Sequence, residues 1–167
     1  MKQISLNGPP ATGSIQLDYL TWAGVRARLG FDQSQRSKTA GALAQCYREA
    51  GLRSLFASMG FDWRAIAAIT LHETGYGTSV AAYHNNLWGI SYYSKTAGKM
   101  LPYAYDTMAQ CCEHLLKTFA APRYLEAMMH KANGPAFLDY LNGAGYNSSE
   151  AWRKGVQAAY NQLLQAS

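Results

Sequence analysis

One carboxylate in an otherwise apolar helix gives the first chemical lead. Between Asp62 and Thr74, Ile66, Ile69 and Thr70 mark the inward face, and a step of three or four residues from them reaches Glu73. Glu73 is the only acid of this segment after Asp62 and lies in its last turn, just before Gly75. A carboxyl on a buried face is costly when charged, so burial raises its pKa and lets it keep a proton near neutral pH. That is the state a general acid needs to protonate a glycosidic oxygen. An ion pair with a neighbouring cation such as Arg64 is the structural alternative, and position by itself leaves both open.

The residues just after Glu73 favour a sugar. Gly75 and Gly77 flank Tyr76, so the backbone can approach a ligand while a ring faces it. Residues 76–105 hold six of the chain's twelve tyrosines (76, 83, 92, 93, 103 and 105) together with Trp88. Such rings offer a flat apolar face to a pyranose and a polar tip to its hydroxyls. Trp88 is also the ring that best fits a core position, because Leu87 and Ile90 flank it.

Other chemistries fail on spacing. His72-Glu73 would need a histidine at position 76 to make a zinc helix, and Tyr76 stands there. Cys111 or Cys112 could pair with His114, but all three share one helix and leave no separate base. No nucleophile elbow and no zinc spacing occur, so no metal and no cofactor are expected. Asn147-Ser148-Ser149 matches a glycosylation acceptor and reads more simply as a helix cap.

The elements that must hold these residues are mostly helices. Residues 1–16, rich in Gly, Pro, Ser and Thr, read as an extended arm. A single domain occupies 17–167. Its predicted helices are Leu17–Leu29, Lys38–Ala50 closed by Gly51, Leu52–Ser58 closed by Gly60, and Trp63–Thr74 capped by Asp62. Asn85-Asn86 looks like a turn, Gly89–Tyr93 like the start of a short strand, and Ser94–Lys99 like a loop or small hairpin. Asp106 then reads as the cap of a helix whose stripe is Met108, Cys111, Cys112, Leu115 and Phe119. Pro122 opens a helix to about Lys131 and Pro135 opens Ala136–Leu141. Ser149 caps a last helix whose inward face is Trp152, Val156, Ala159, Tyr160 and Leu163.

Composition agrees with a folded globular chain: 49% hydrophobic, 15% charged, with 15 Lys and Arg against 10 Asp and Glu. The net +5 favours a polyanionic partner, but the basic residues are scattered and Arg26 with Arg28 is the densest pair. Clustered cations for a nucleic-acid face are missing. The three cysteines read as small buried apolar residues, with a bridge from Cys46 left open. No run resembles a signal peptide or membrane span, so the expectation is synthesis in the cytoplasm and no membrane insertion.

Two linked motifs now become specific. Ala67–Ile90 reads AAITLHETGYGTSVAAYHNNLWGI. It resembles the glucosaminidases of glycoside hydrolase family 73, with Glu73, Gly75, Tyr76, Gly77 and Ser79 in place, Thr74 where Ser is usual, then Asn85-Asn86-Leu87-Trp88-Gly89-Ile90. Tyr103–Asp106, Arg123-Tyr124 and Gly145-Tyr146 are similar to later family segments, so the resemblance covers about residues 60–165. It implies a mainly α, lysozyme-like helical domain with a small irregular or β-hairpin lobe. It further implies Glu73 as general acid, Tyr146 as an active-site tyrosine, Asn86 and Trp88 shaping a groove, no metal, and peptidoglycan cut after N-acetylglucosamine. From the aromatic-rich segment, Tyr76, Tyr83 and Tyr92 are further expected to bind substrate.

One departure matters. The family often places a second Glu in the lobe, yet residues 74–105 hold no Asp or Glu. Asp106 is the nearest candidate second acid and Asp139 a distant one. Otherwise the substrate's own acetamido group could attack. The alternatives are a muramidase or lytic transglycosylase, and, from another class, an inactive wall-binding module. The expected setting is delivery to the periplasm or cell wall by type VI secretion or phage lysis. An antibacterial effector is the favoured form, with a cognate immunity protein as partner.

Overall fold

The computed structural model describes residues 36–49, 51–75 and 85–166. The expected arm at 1–16, the helix Leu17–Leu29, Tyr76, Tyr83 and the side chain of Cys46 lie outside them. In chain order the helices are α1 (Arg36–Glu49), α2 (Leu52–Ser58), α3 (Trp63–Glu73), α4 (Met108–Phe119), α5 (Leu125–Met129), α6 (Gly134–Gly143) and α7 (Glu150–Ala166). One antiparallel hairpin, β1 (Ser91–Ser94) with β2 (Lys99–Pro102), sits between α3 and α4. This is the mainly α domain with a small hairpin that the resemblance implied.

α3 is the axis of the fold. It buries Trp63 and every residue from Ala65 to Leu71, so it is apolar almost all round and not merely striped. α1, α2, α6 and α7 pack against it. Its start is held from three sides. Asp62 Oδ1 caps the Arg64 N–H at 3.1 Å, Asp62 Oδ2 accepts from the Tyr160 hydroxyl at 2.6 Å, and the Asp62 N–H donates to the Lys131 carbonyl at 2.8 Å. Its middle is tied to α1 by the buried Tyr47 and Thr70 hydroxyls, 2.6 Å apart. α7 crosses its far end so closely that a Cβ on Gly155 would stand 2.3 Å from the His72 ring.

Beneath the helices Phe56, Phe61, Phe119 and Phe137 meet edge to face or tilted, with centroids 5.6 to 6.1 Å apart. Cys111 and Cys112 are buried free thiols of α4. Burial pushes both up to about 12, so they remain neutral packing groups.

Three boundaries depart from expectation. The cap of α4 is Thr107, whose hydroxyl accepts from the Gln110 N–H at 3.4 Å, and not Asp106, whose own N–H donates to the Gln110 side chain at 2.9 Å. The chain after Pro122 forms a 3-10 turn, Pro122–Tyr124, before the short α5, not one helix to Lys131. Asn133 caps α6, which therefore begins at Gly134 and takes Pro135 into its first turn. Ser149 does accept the Trp152 N–H at the start of α7, at 3.1 Å.

Candidate active site

Glu73 closes α3. Thr74 ends the helix by bonding back twice to the Thr70 carbonyl, its hydroxyl at 2.6 Å and its N–H at 3.0 Å, and is fully buried. The extra methyl of Thr, relative to the usual Ser, therefore points into protein. Glu73 is mostly buried. Its Oε1 accepts from the Trp152 indole N–H at 2.6 Å. Arg64, the cation of the ion-pair alternative, reaches Asp62 at 3.4 Å. Burial pushes the Glu73 carboxyl above its ordinary value, and the indole donor pulls it part of the way back. The result is a carboxyl that holds its proton to higher pH than a solvated one.

The second motif supplies the floor under that carboxyl. Gly89 has φ +66°, and a Cβ there would stand 2.3 Å from Glu73 Oε2 and 2.6 Å from its Cδ. Only a glycine allows both the backbone conformation and the approach. Asn86 builds the turn that presents Gly89. Its Oδ1 accepts the Ile90 N–H at 3.0 Å, and its Nδ2 donates to the carbonyls of Ile90 at 2.7 Å and Tyr103 at 3.1 Å. Asn85, at φ +54°, donates to the carbonyls of Tyr105 and Asp106. The paired asparagines thus lock the hairpin's exit to the turn beneath Glu73.

Asn86 and Trp88 are fully buried. Trp88 packs edge to face on Phe56 and donates its indole N–H to the Ile66 carbonyl at 3.3 Å. The resemblance put both residues on the groove. The structure buries both, so any shaping of that groove by them is as supports from beneath.

Tyr146 links the two motifs. Its hydroxyl donates to the Trp88 carbonyl in a short hydrogen bond, and its ring lies 5.7 Å from that of Trp152. Burial first, and then the charge of Glu73, push this phenol well above its usual range, so it stays neutral. The structure therefore brings Glu73, Gly89, Tyr146 and Trp152 together at one place.

A row of rings extends along the hairpin side. Tyr92, 41% exposed, lies 4.8 Å from Tyr103, which stacks on Tyr105 at 6.1 Å. The Tyr105 hydroxyl meets His114 Nδ1 at 2.7 Å, and burial holds that imidazole below its ordinary pKa. On the neighbouring strand position Tyr93 is more exposed still, at 61%. Asp106 is exposed at the entry to α4. Asp139 faces Arg153 at 3.3 Å on the outside of α6 and α7. Among the described residues no group of three or more His, Cys, Asp or Glu gathers as a metal site.

Trp152 and the close approach of Gly89 are the features that spacing does not disclose as functional. The sequence marks Trp152 only as an inward residue of α7. A donor-bearing indole in the inward stripe is a signal there, since a buried indole N–H must find an acceptor.

No curated protein and no solved structure matches the chain. A family model described as mannosyl-glycoprotein endo-beta-N-acetylglucosaminidase matches residues 51–165, more than half of it, and takes in α2 to α7 with Glu73, Gly89, Tyr146 and Trp152. The protein belongs to this glucosaminidase family and is a glycoside hydrolase.

Proposed function

We propose that the enzyme cleaves the glycan backbone of peptidoglycan after N-acetylglucosamine, with Glu73 as the general acid. The observation that carries this is the Glu73 carboxyl at a helix end within a glucosaminidase domain, where burial raises its pKa above the ordinary carboxylate value. Protonated Glu73 gives its proton to the glycosidic oxygen as the bond to the anomeric carbon breaks. For the other face of the sugar, residues 74–105 offer no carboxylate, Asp106 is exposed and Asp139 is engaged by Arg153. We therefore read the reaction as substrate-assisted. The acetamido carbonyl oxygen bonds to the anomeric carbon while the leaving oxygen takes the Glu73 proton. Water then opens that ring and returns a proton to Glu73. Tyr146 spends its O–H on the Trp88 carbonyl, so its oxygen lone pairs can accept the acetamido N–H and aim the group.

The finer reading is a wall-degrading antibacterial effector, neutralised by a periplasmic immunity protein. A small helical domain with net charge +5 suits delivery to a polyanionic wall. Its test is expression in bacteria with and without periplasmic targeting; killing in the periplasm alone is expected, and equal harmlessness in both compartments refutes it.

Digestion of purified peptidoglycan by the wild type and by Glu73→Gln, with mass spectrometry of the reduced products, tests the chemistry. N-acetylglucosamine at the new reducing ends and an inert variant are expected. Muramic acid ends, or anhydro ends, would reassign the enzyme as a muramidase or lytic transglycosylase. Sedimentation with the wall without cleavage would make it a binding module.

A further inference from the structure

We infer that Trp152 is a positioning residue: its indole N–H selects which Glu73 oxygen carries the catalytic proton and steadies the carboxylate left after transfer. The inference rests on Glu73 being the general acid, as proposed above. The indole N–H is a donor only, and it lies 2.6 Å from Oε1. In a neutral carboxyl the carbonyl oxygen accepts far better than the hydroxyl oxygen. Trp152 therefore makes Oε1 the carbonyl oxygen and leaves the proton on Oε2, the oxygen that lies over the Gly89 backbone. Transfer breaks the Oε2–H bond and forms an O–H bond on the departing sugar. The negative charge left on the carboxylate strengthens the indole bond at the moment it appears, which is differential stabilisation.

The ring is built to hold this aim. Trp152 is 2% exposed, with Tyr146 on one side and the His72 ring perpendicular at 6.3 Å on another. Its backbone N–H is fastened to the Ser149 cap. His72 in turn has its place only because Gly155, one turn along α7, lacks a side chain. Among the described residues, the titratable groups around this corner include His72, from α3 behind the indole, Tyr146, from the loop before α7, and, facing Tyr146, Tyr105, Cys111 and Tyr124. Burial disfavours the charged form of each. Arg153 of α7 pairs outward with Glu150 and Asp139, and Tyr47 of α1 meets the Thr70 hydroxyl.

Two measurements on the full chain test this. In Trp152→Phe, the loss of a hydrogen bond to a charged group should lower kcat about 10- to 100-fold with KM within about threefold. The alkaline limb of kcat/KM should move up by about one pH unit, because the donor that favours the charged carboxyl is gone. A merely structural role would lower the amount of folded enzyme without moving that limb. The second measurement needs no change at 152. In 15N-labelled wild type, one indole N–H should shift downfield with the midpoint of the alkaline limb, and in Glu73→Gln that titration should vanish. An unmoved limb in a folded Trp152→Phe, or no indole that titrates with Glu73, overturns the assignment. If wild-type enzyme leaves peptidoglycan intact, the proposed reaction fails, and the indole titration still decides the contact by itself.

Discussion

The corner around Glu73 and the hairpin beside it are made by opposite rules. At the corner the polar atoms answer to protein: Oε1 to Trp152, the Tyr146 hydroxyl to the Trp88 carbonyl, the Asn86 amide to Ile90 and Tyr103. The rings there are buried or half-buried. On the hairpin Tyr92 and Tyr93 stand 41% and 61% exposed, and the strands carry no acid. One region ties its polar atoms to fixed protein partners around a carboxyl whose pKa burial raises. The other turns exposed aromatic rings to solvent. Substitutions at the corner should therefore act on kcat and on the pH profile, and those on the hairpin on KM.

The sharpest break in that contrast comes from Glu73→Gln. Loss of the general acid should cost about 10³-fold in peptidoglycan cleavage. The fold should gain from it at neutral pH. Burial raises the carboxyl's pKa in the folded state above its ordinary 4.5, so as pH rises the unfolded chain gives up its proton first. The stability present below 4.5 is then lost as pH climbs through the folded pKa. Glu73→Gln lacks that loss. Its melting temperature relative to wild type should climb across the window and then level, and a constant offset from acid to neutral pH would deny that burial sets the proton's hold.

Gly89→Ala should come next. The added Cβ meets the Glu73 carboxyl at 2.3 Å and the residue keeps φ +66°, so the carboxyl must move. We expect activity to fall about 10²-fold, since small misplacements of a catalytic group carry that cost. Strain at a left-handed residue adds about 1 to 3 kcal/mol of lost stability, read by denaturant unfolding. Unchanged activity would mean that Oε2 is not held where the proposal needs it.

Much of this corner is legible in the residues, and the illegible part has a physical reason. Periodicity from Ile66, Ile69 and Thr70 turns Glu73 inward, and Asp62 reads as the cap of α3, because periodicity and capping depend on neighbours in sequence. The paired asparagines are legible as a turn at Asn85-Asn86 but not as the buried clamp that joins residue 86 to residue 103. Trp152 and Glu73 are 79 positions apart, and such a hydrogen bond comes from the crossing of α3 and α7, which no local pattern records. Asp106 loses the cap of α4 to Thr107 by one position, since an Asp and a Thr side by side offer the same bond to the same turn.

Tyr146→Phe measures how far the corner acts as a unit. It leaves the ring on Trp152 and removes only the donor to the Trp88 carbonyl. An acceptor left without its partner costs about 1 to 3 kcal/mol of stability. If the phenol oxygen also receives the acetamido N–H, kcat on peptidoglycan falls about tenfold beyond what the folded fraction explains, roughly the worth of one such bond. A loss of stability with full kcat per folded molecule would confine Tyr146 to support.

The smallest effects lie on the hairpin, and there the two faces of one strand make their own control. Tyr92 and Tyr93 are adjacent in β1, so their rings point to opposite faces. Tyr92 continues the row through Tyr103 and Tyr105, while Tyr93 pairs across the strands with the exposed Met100. Stacking of a sugar on one ring is worth on the order of 1 kcal/mol, so Tyr92→Ala should raise KM for glycan fragments about fivefold and leave kcat alone. Tyr93→Ala should change neither, and both variants should unfold within about 0.5 kcal/mol of wild type, as surface changes do. Equal increases in KM would mean that the glycan wraps both faces of the hairpin. An increase for Tyr93 alone would turn the groove to the other face and take the Tyr92 row out of substrate binding.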